Sequence, residues 1–364
     1  MSLDCLKSSI FATWIIIVIR MIESIKIDNF RGIHRCKIEG LTQVNLFFGK
    51  NNCGKSSLLE SLFLVCGQSN PLLPATLNAM RTYTRLTESD IHYFFYQMNA
   101  ASEIQIETTG AQERHLAITT FQEAADVSAG NVSTELNHRY GLRMKYRTTD
   151  GELTSEVHYD LGKTNQIEQR HQVDKRYTEQ LKCVYLSPRY DSNASMEGLQ
   201  NIYLNKDESF LSEALKVLEP AAQNPVFMDG VMLVDTGLPQ RIPINLMGDG
   251  IRKIVSFLTS IYACRGGVVL IDELSNGFHY SVMRPMWEMV IRAAIRNNVQ
   301  IFATTHDEDA IRGFQQAALK VHTEEGRDIA SGFKLQRIGD DELKSYHFSV
   351  AQLGYALEQE TEVR

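Results

Sequence analysis

Hydrophobic and polar positions change period several times along the chain, and each change marks an element. Residues 22–30 (Ile-Glu-Ser-Ile-Lys-Ile-Asp-Asn-Phe) alternate apolar and polar side chains, the pattern of a half-buried strand. Arg31-Gly32-Ile33 turns the chain into a second strand at 36–38, and 44–48 reads as a buried strand followed by helical spacing over 56–65. Residues 70–99 are mixed, broken by Pro71 and Pro74, with enough aromatics over 86–98 for a short packed segment. Four strands with antiparallel character are expected at 103–108, 115–119, 141–148 and 156–161, with Thr149-Asp150-Gly151 as a turn and 121–137 as a polar loop. A buried strand at 182–186 stops at Ser187-Pro188, a helix at 209–218 ends before Pro220, and 231–246 resembles a hairpin.

The most regular stretch follows. Ile251, Ile254, Val255, Leu258, Ile261 and Tyr262 form one face of a long amphipathic helix. Val268-Val269-Leu270-Ile271 has the composition of a central parallel strand buried on both faces. A helix at 281–295 and a buried strand at 299–304 come next. A short helix, a hairpin turning at Gly339-Asp340-Asp341 and a charged C-terminal helix complete the chain. The pattern is α/β: a mixed central sheet with an antiparallel β lobe and a helical lobe inserted at about 70–230 of one domain spanning 21–364.

The length of 364 residues is enough for a large core, in one domain or two lobes. A formal net charge of −7 argues against a generally basic nucleic-acid binder, but not against a local basic groove. Cys5, Cys36, Cys53, Cys66, Cys183 and Cys264 form no C-x-x-C pair and have no histidine at zinc spacing, which points to reduced thiols in the cytoplasm. Residues 10–19 are almost wholly apolar, between Lys7 and Arg20, but too few to span a bilayer, and no small-residue cleavage site follows. Residues 1–20 are therefore expected to be an extension upstream of a working start at Met21, with no membrane partner; a packed extra strand or a membrane-touching anchor is the other reading.

Candidate chemistry begins at Gly49-Lys50-Asn51-Asn52-Cys53-Gly54-Lys55-Ser56-Ser57, a phosphate-binding loop (Walker A) between a strand and a helix. Glycines let the N–H groups of the loop, through Asn51, Asn52, Cys53 and Ser57, converge on phosphate oxygens, and the new helix points its positive end at the same anion. Lys55 reaches the β- and γ-phosphates, and the Ser56 hydroxyl is a Mg²⁺ ligand. Asp272 and Glu273 emerge from the buried strand, the first to hold Mg²⁺ through water and the second to polarise the attacking water. His306 ends the next strand, in Ala303-Thr304-Thr305-His306-Asp307, where an imidazole can sense the γ-phosphate. Gly248-Asp249-Gly250 opens the amphipathic helix as a second anion site. It lies too near Asp272 in sequence to serve its own chain's nucleotide easily, so it is expected to meet that of a partner subunit; an ordinary glycine cap is the other reading. Arg252 and Lys253 either assist that contact or are solvated surface.

The order of these motifs resembles ABC-type ATPases related to SMC, RecF and OLD proteins. Ile27-Asp28-Asn29-Phe30-Arg31-Gly32 is similar to that family's opening Ile-Asn-Phe-Arg-Gly theme, and an Asp directly followed by Glu belongs to its ATP-binding-cassette branch. The resemblance runs from Met21 to the C-terminus and is strongest to short stand-alone bacterial members described as AAA family ATPases or ATP/GTP phosphatases. It implies a P-loop NTPase fold of the ABC/SMC type, ATP and Mg²⁺ as cofactors, an ATP-dependent homodimer, and Arg31 near the nucleotide. Two departures stand out. Met247-Gly248-Asp249-Gly250 replaces the Leu-Ser-Gly-Gly-Gln of transporters, so Gly248 acts through backbone alone. The Q-loop glutamine is not evident: Gln68 is the candidate by proximity, while Ser187-Pro188-Arg189 occupies the lobe crossover. Leu274-Ser275-Asn276-Gly277-Phe278-His279 is either an interface loop, as in relatives, or a plain turn.

Three functions fit this reading. The first is a nucleotide-driven dimer switch acting in DNA maintenance or phage defence, with a separate effector protein and DNA as candidate partners. The second is the ATPase module of a DNA nuclease complex. The stretch after His306 has no metal-binding nuclease pattern, since Asp307-Glu308-Asp309 reads as a helix start, so any nuclease is a separate chain. The third, a transporter ATPase subunit, is disfavoured by the β insertion and the altered signature. The guanine-reading Asn/Thr-Lys-x-Asp motif is absent, which favours ATP. Arg139, Arg143, Lys145 and Arg147, interleaved with Tyr140 and Tyr146, are the candidate DNA contacts; the last three of the basic residues share one strand face.

Overall fold

Strand β1 (Ser24–Phe30) pairs antiparallel with β2 (Ile33–Glu39), and β3 (Val44–Phe48) feeds helix α1 (Lys55–Cys66). These come from a computed structural model that describes residues 22–82, 88–124, 138–149, 151–161, 167–188, 193–228, 230–339 and 342–359. The extension expected at 1–20, Met21, Arg189, Asp340 and Asp341 lie outside the described residues, as does most of the loop expected at 121–137. Helices α2 (Leu73–Thr82) and α3 (Glu88–His92) lead to an antiparallel run of β4 (Ile104–Thr109), β5 (Arg114–Ala124), β6 (His138–Thr148), β7 (Gly151–Leu161) and β8 (Ile167–Gln172). After β9 (Cys183–Leu186), the helical side is built from α4 (Asn193–Leu204), α5 (Glu208–Leu218), the small sheet β10 (Gln223–Met228), β11 (Val231–Asp235) and β12 (Ile242–Pro243), and α6 (Asp249–Ala263). The chain closes with β13 (Val268–Ile271), α7 (Met283–Asn297), β14 (Gln300–Thr305), α8 (Glu308–Glu325), β15 (Ala330–Ile338), β16 (Glu342–Ser349) and α9 (Val350–Glu358).

Thirteen strands form one sheet in the order β8-β7-β6-β5-β4-β1-β2-β16-β15-β3-β14-β13-β9. The β lobe is therefore continuous with the central sheet, because β4 pairs antiparallel with β1 (Ile27 opposite Ile106). The part that matters for chemistry is the parallel run β15-β3-β14-β13-β9. Its strands are apolar on both faces because each face carries its own core. Val44, Leu46 and Phe48 of β3, with Val269 and Ile271 of β13, join the core that contains Ile254, Trp287 and Phe314. Phe47, Val268, Leu270 and Phe302 point the other way, into the core that contains Leu58, Leu62 and Tyr146. Helix α1 is buried over most of its surface, and its buried residues include Lys55, Glu60 and Ser61 beside the apolar ones.

Several expected boundaries move. Residues 121–124 continue β5 instead of starting a loop, and β8 is a strand that the chain's polar 167–172 stretch did not announce. The helix after His306 is long, with 18 residues, because Ile311, Phe314, Ala318 and Val321 form a buried face against α7. Helix α9 is held by a capping box at Ser349 and Gln352 and buries Val350, Leu353, Ala356 and Leu357, so it is a packed helix more than a charged one.

Candidate active site

The phosphate loop leaves β3 at Phe48 and enters α1 through two left-handed glycines, Gly49 (φ 150°) and Gly54 (φ 110°). A Cβ on Gly49 would run into the Leu335 carbonyl of β15, so the loop is pressed against its neighbouring strand. Gly54 caps α1 with no side-chain hydrogen bond, leaving the first N–H groups of the helix facing the loop. Lys55 is 5 % exposed, and its Nζ donates to the carbonyls of Gly49 (3.0 Å) and Lys50 (3.1 Å). Asn51 and Asn52 are exposed, Ser56 and Ser57 half-buried, and Cys53 buried. Burial pushes the Cys53 thiol pKa up despite the nearby Lys55 charge, so the thiol stays protonated.

Strand order brings the other candidates to the same edge. Thr305 at the end of β14 lies opposite Phe48 of β3, and Ala303 opposite Ile271 of β13. One strand thus separates the phosphate loop from Asp272, a spacing of about 10 Å between strand axes. The turn after β13 is registered against the end of β14. Thr304 Oγ1 donates to Asp272 Oδ1 (2.6 Å) and accepts from the Glu273 N–H (2.9 Å), and the Leu274 N–H donates to the Thr304 carbonyl (3.0 Å). The hydroxyls of Ser275 and Thr305 meet at 2.9 Å. His306 Nδ1 lies 2.6 Å from Glu273 Oε2. From the other side Tyr185 of β9 offers its hydroxyl to Asp272 Oδ2 at 3.4 Å, and burial raises the Tyr185 pKa, with Asp272 adding to the effect, so it remains a donor. Glu273 sits at φ 52°, an uncommon conformation for a residue with a side chain, and one that clusters at functional sites.

Beside these residues a cleft of about 580 Å³ runs between the Ser275–Gly277 turn and the start of α8. Asp307 caps that helix by accepting from the Asp309 N–H (2.9 Å), which accounts for Asp307-Glu308-Asp309 as a helix start. Among the described residues no cluster of three or more His, Cys, Asp or Glu side chains is placed to hold a metal by itself.

One candidate lies elsewhere. Gln68 follows the C-terminal end of α1, a helix of 12 residues, which puts it about 18 Å along the axis from Ser56. It is 2 % exposed, and its Nε2 points to the Arg147 carbonyl of the β lobe. Gln68 is therefore removed from the metal-ligand set: nearness in sequence was undone by a straight helix. Arg31 stands at the β1–β2 turn with φ 50° and turns inward, pairing with Glu60 on α1 and stacking over Phe94 (4.8 Å). Burial pushes the Arg31 pKa down against the pull of Glu60. Its guanidinium is buried against Glu60 of α1, and Tyr185, the partner of Asp272, lies within its electrostatic reach.

The glycines of Gly248-Asp249-Gly250 open α6 at the surface, where nothing would oppose a Cβ on Gly248. Lys253 Nζ donates to the Asn276 carbonyl (2.5 Å), and Gly250 lies against Gly277 and Phe278, so the helix start and the turn after Glu273 form one unit. Arg252 pairs with Asp249.

A model of the AAA ATPase domain family matches residues 21–221, more than half of the chain. The chain belongs to the AAA ATPase domain family. A second AAA domain model, whose description names the AbiEii toxin and type IV toxin–antitoxin systems, matches residues 184–312 of this AAA ATPase. An ATP/GTP phosphatase of Helicobacter pylori is 25 % identical over 81 % of this chain and 88 % of its own length. A protein of Methanocaldococcus jannaschii is 32 % identical, over 32 % of this chain and 53 % of its own. Among solved structures, an SMC head domain of Pyrococcus furiosus bound to the C-terminal domain of ScpA aligns over 94 % of this chain and all of its own, with a TM-score of 0.51 at 10 % identity. An SMC head bound to the C-winged helix domain of ScpA aligns over 93 % of this chain and 99 % of its own, with a TM-score of 0.50 at 11 % identity. The fold is that of a P-loop NTPase of the SMC-head kind, and the chain is an ATPase.

Tyr185 and Thr304 are the contacts that sequence reading did not assign to this AAA ATPase. Thr304 was visible in the Thr-Thr-His run, without a signal that its hydroxyl would turn toward Asp272. Tyr185 carried only its strand pattern.

Proposed function

We propose that this ATPase is a nucleotide-driven dimer switch. The observation that carries the proposal is the registration of Asp272, Glu273 and His306 on the strand ends next to the phosphate loop. In this reading Lys55 and the N–H groups of Gly49 through Ser57 grip the phosphates and neutralise charge as it moves onto the leaving oxygen. Glu273 orients and deprotonates the attacking water, and His306, held by Glu273, contacts the γ-phosphate. The Ser56 hydroxyl and the Asp272 carboxylate are hard oxygen donors of the kind Mg²⁺ takes, and they would hold it together with phosphate oxygens. Bound there, the ion would supply charge neutralisation to the β- and γ-phosphates.

The surface-exposed start of α6, at Gly248, Asp249 and Gly250, is assigned to the nucleotide of a second copy. Its support is the open approach to Gly248 and the neighbouring Leu246, which is 75 % exposed. The SMC heads of similar fold are bound to ScpA domains, which favours an effector protein as a further partner here. Resemblance to stand-alone OLD-like ATPases favours a role in DNA maintenance or phage defence, in the cytoplasm. No helix of the described residues is long and apolar enough to cross a membrane. The basic stripe of β6 is a weak DNA surface: Arg143 pairs with Glu156 (2.6 Å), and Arg147 lies opposite Glu152 on β7. DNA contact is therefore assigned to the ATP-closed dimer. The test is Glu273→Gln with ATP and Mg²⁺: a stable dimer by light scattering that binds DNA in a salt-dependent way supports the proposal. A monomer under saturating ATP overturns the dimer switch.

A further inference from the structure

Thr304 is wholly buried in the middle of the parallel sheet, where its neighbours in β14 are apolar or small, and a valine would have the same shape and strand preference. What a valine lacks is the hydroxyl. That hydroxyl has one hydrogen to give and two lone pairs. It gives the hydrogen to Asp272 Oδ1 at 2.6 Å and accepts the Glu273 N–H at 2.9 Å. One oxygen thus touches the carboxylate of one acid and the backbone of the next. The two bonds act on different freedoms. The first fixes the rotation of the Asp272 carboxylate, whose other oxygen faces Tyr185 at 3.4 Å. The second pins the peptide that carries Glu273 in its left-handed conformation (φ 52°), and so aims the Glu273 side chain at His306.

We propose that Thr304 is a positioning residue for ATP hydrolysis: its hydroxyl sets the relative orientation of the Asp272 and Glu273 carboxylates. The inference rests on the ATPase site described above and on Asp272 serving the metal. Thr304 is wholly buried and acts through the two acids it holds. Loss of its hydroxyl frees the Asp272 carboxylate to rotate and relaxes the Glu273 turn, which weakens metal capture and slows the chemical step while leaving the phosphate loop intact. Thr305, next in sequence, binds Ser275 and the Asp307 N–H and holds neither carboxylate.

The experiment compares Thr304→Val, Thr304→Ser and Thr304→Ala with wild type in steady-state ATP hydrolysis across a Mg²⁺ titration. Binding of a fluorescent ATP analogue in EDTA is measured alongside. Thr304→Val is expected to lower kcat and raise the half-saturating Mg²⁺ concentration by about 10- to 100-fold, the range for residues that orient metal ligands. Metal-free nucleotide affinity stays at the wild-type value. Thr304→Ser, which keeps the hydroxyl and sheds the methyl, restores both. Should the valine variant not fold, the serine and alanine pair carries the same comparison, since both shed the methyl and only one keeps the hydroxyl. Wild-type kcat and Mg²⁺ dependence in the valine or alanine variant overturns the proposal, as does a serine variant no better than alanine. Failure of the underlying site reading looks different: Glu273→Gln then hydrolyses ATP as wild type does, whatever Thr304 variants do.

Discussion

His306 Nδ1 donates to Glu273 Oε2 across 2.6 Å, joining the end of β14 to the left-handed residue that follows β13. The bond uses the imidazole nitrogen nearer the backbone, so the other nitrogen faces away from Glu273, and 45 % of the His306 side chain is exposed. A histidine held this way has its ring plane set by one strand and its carboxylate partner by another. His306→Ala is expected to reduce kcat by about 10²- to 10⁴-fold, the range for a group that acts on a proton or a developing charge in the transition state. Equilibrium ATP binding should change little, and a parallel loss of binding would instead make His306 part of the nucleotide grip.

Lys55→Ala removes the buried ammonium that sits on the loop carbonyls of Gly49 and Lys50. Hydrolysis is expected to drop by about 10²- to 10³-fold or more, as for loss of one transition-state donor, with weaker ATP binding. Glu273→Gln should abolish turnover yet retain ATP, because the amide keeps the shape of the carboxylate and loses its basicity. Steady-state phosphate release and filter binding on the two variants separate these roles.

Glu60 is 2 % exposed and lies between Arg31 and Arg81, the latter at 2.5 Å. Glu60→Ala leaves the buried Arg31 guanidinium without its counter-charge. The expected loss is about 3–5 kcal/mol of stability, the usual result of removing one partner of a buried ion pair. Denaturant unfolding would register it, and a loss below about 1 kcal/mol, the value of surface pairs, would mean that Phe94 and solvent compensate.

Asp207 ties the turn between α4 and α5 to the ends of α6 and α7: its carboxylate accepts from Tyr262 Oη (2.6 Å), Arg265 (3.3 Å) and Arg296 (3.0 Å). The Tyr262 hydrogen bond, with the two arginine charges, holds the Asp207 carboxyl below the ordinary aspartate range. A depressed folded-state pKa adds stability above the unfolded value of about 4, and that stability is lost as pH falls through the folded value. Asp207→Asn should therefore melt lower than wild type at neutral pH, and the two curves should converge in acid. A gap in Tm that stays constant down to pH of about 2 would remove the electrostatic explanation.

Several residues of the candidate site carry a signal of their own in the sequence. The phosphate loop needs glycine where a left-handed turn meets a close neighbour, and Gly49 against the Leu335 carbonyl is such a place. Asp272 and Glu273 after four aliphatics, and His306 after Thr304-Thr305, are strand-end signals that a two-sided core imposes. Gln68 departs from its expected place because its sequence distance from Lys55 is small while a helix carries it steadily away. The strand β8 was missed because its 167–172 stretch is mostly polar, and its place comes from pairing with β7.

Local chemistry along the chain was enough to specify a glycine-bounded loop between strand and helix, a pair of acids and a histidine at strand ends, since period, turn residues and burial on both faces act over a few positions. Which strand lies between β3 and β13, the fusion of the β lobe with the central sheet, the inward turn of Arg31 and the double grip of Thr304 belong to the folded molecule. Each depends on partners tens to hundreds of positions apart, and the free energy that selects them arises only when both sheet faces are packed at once.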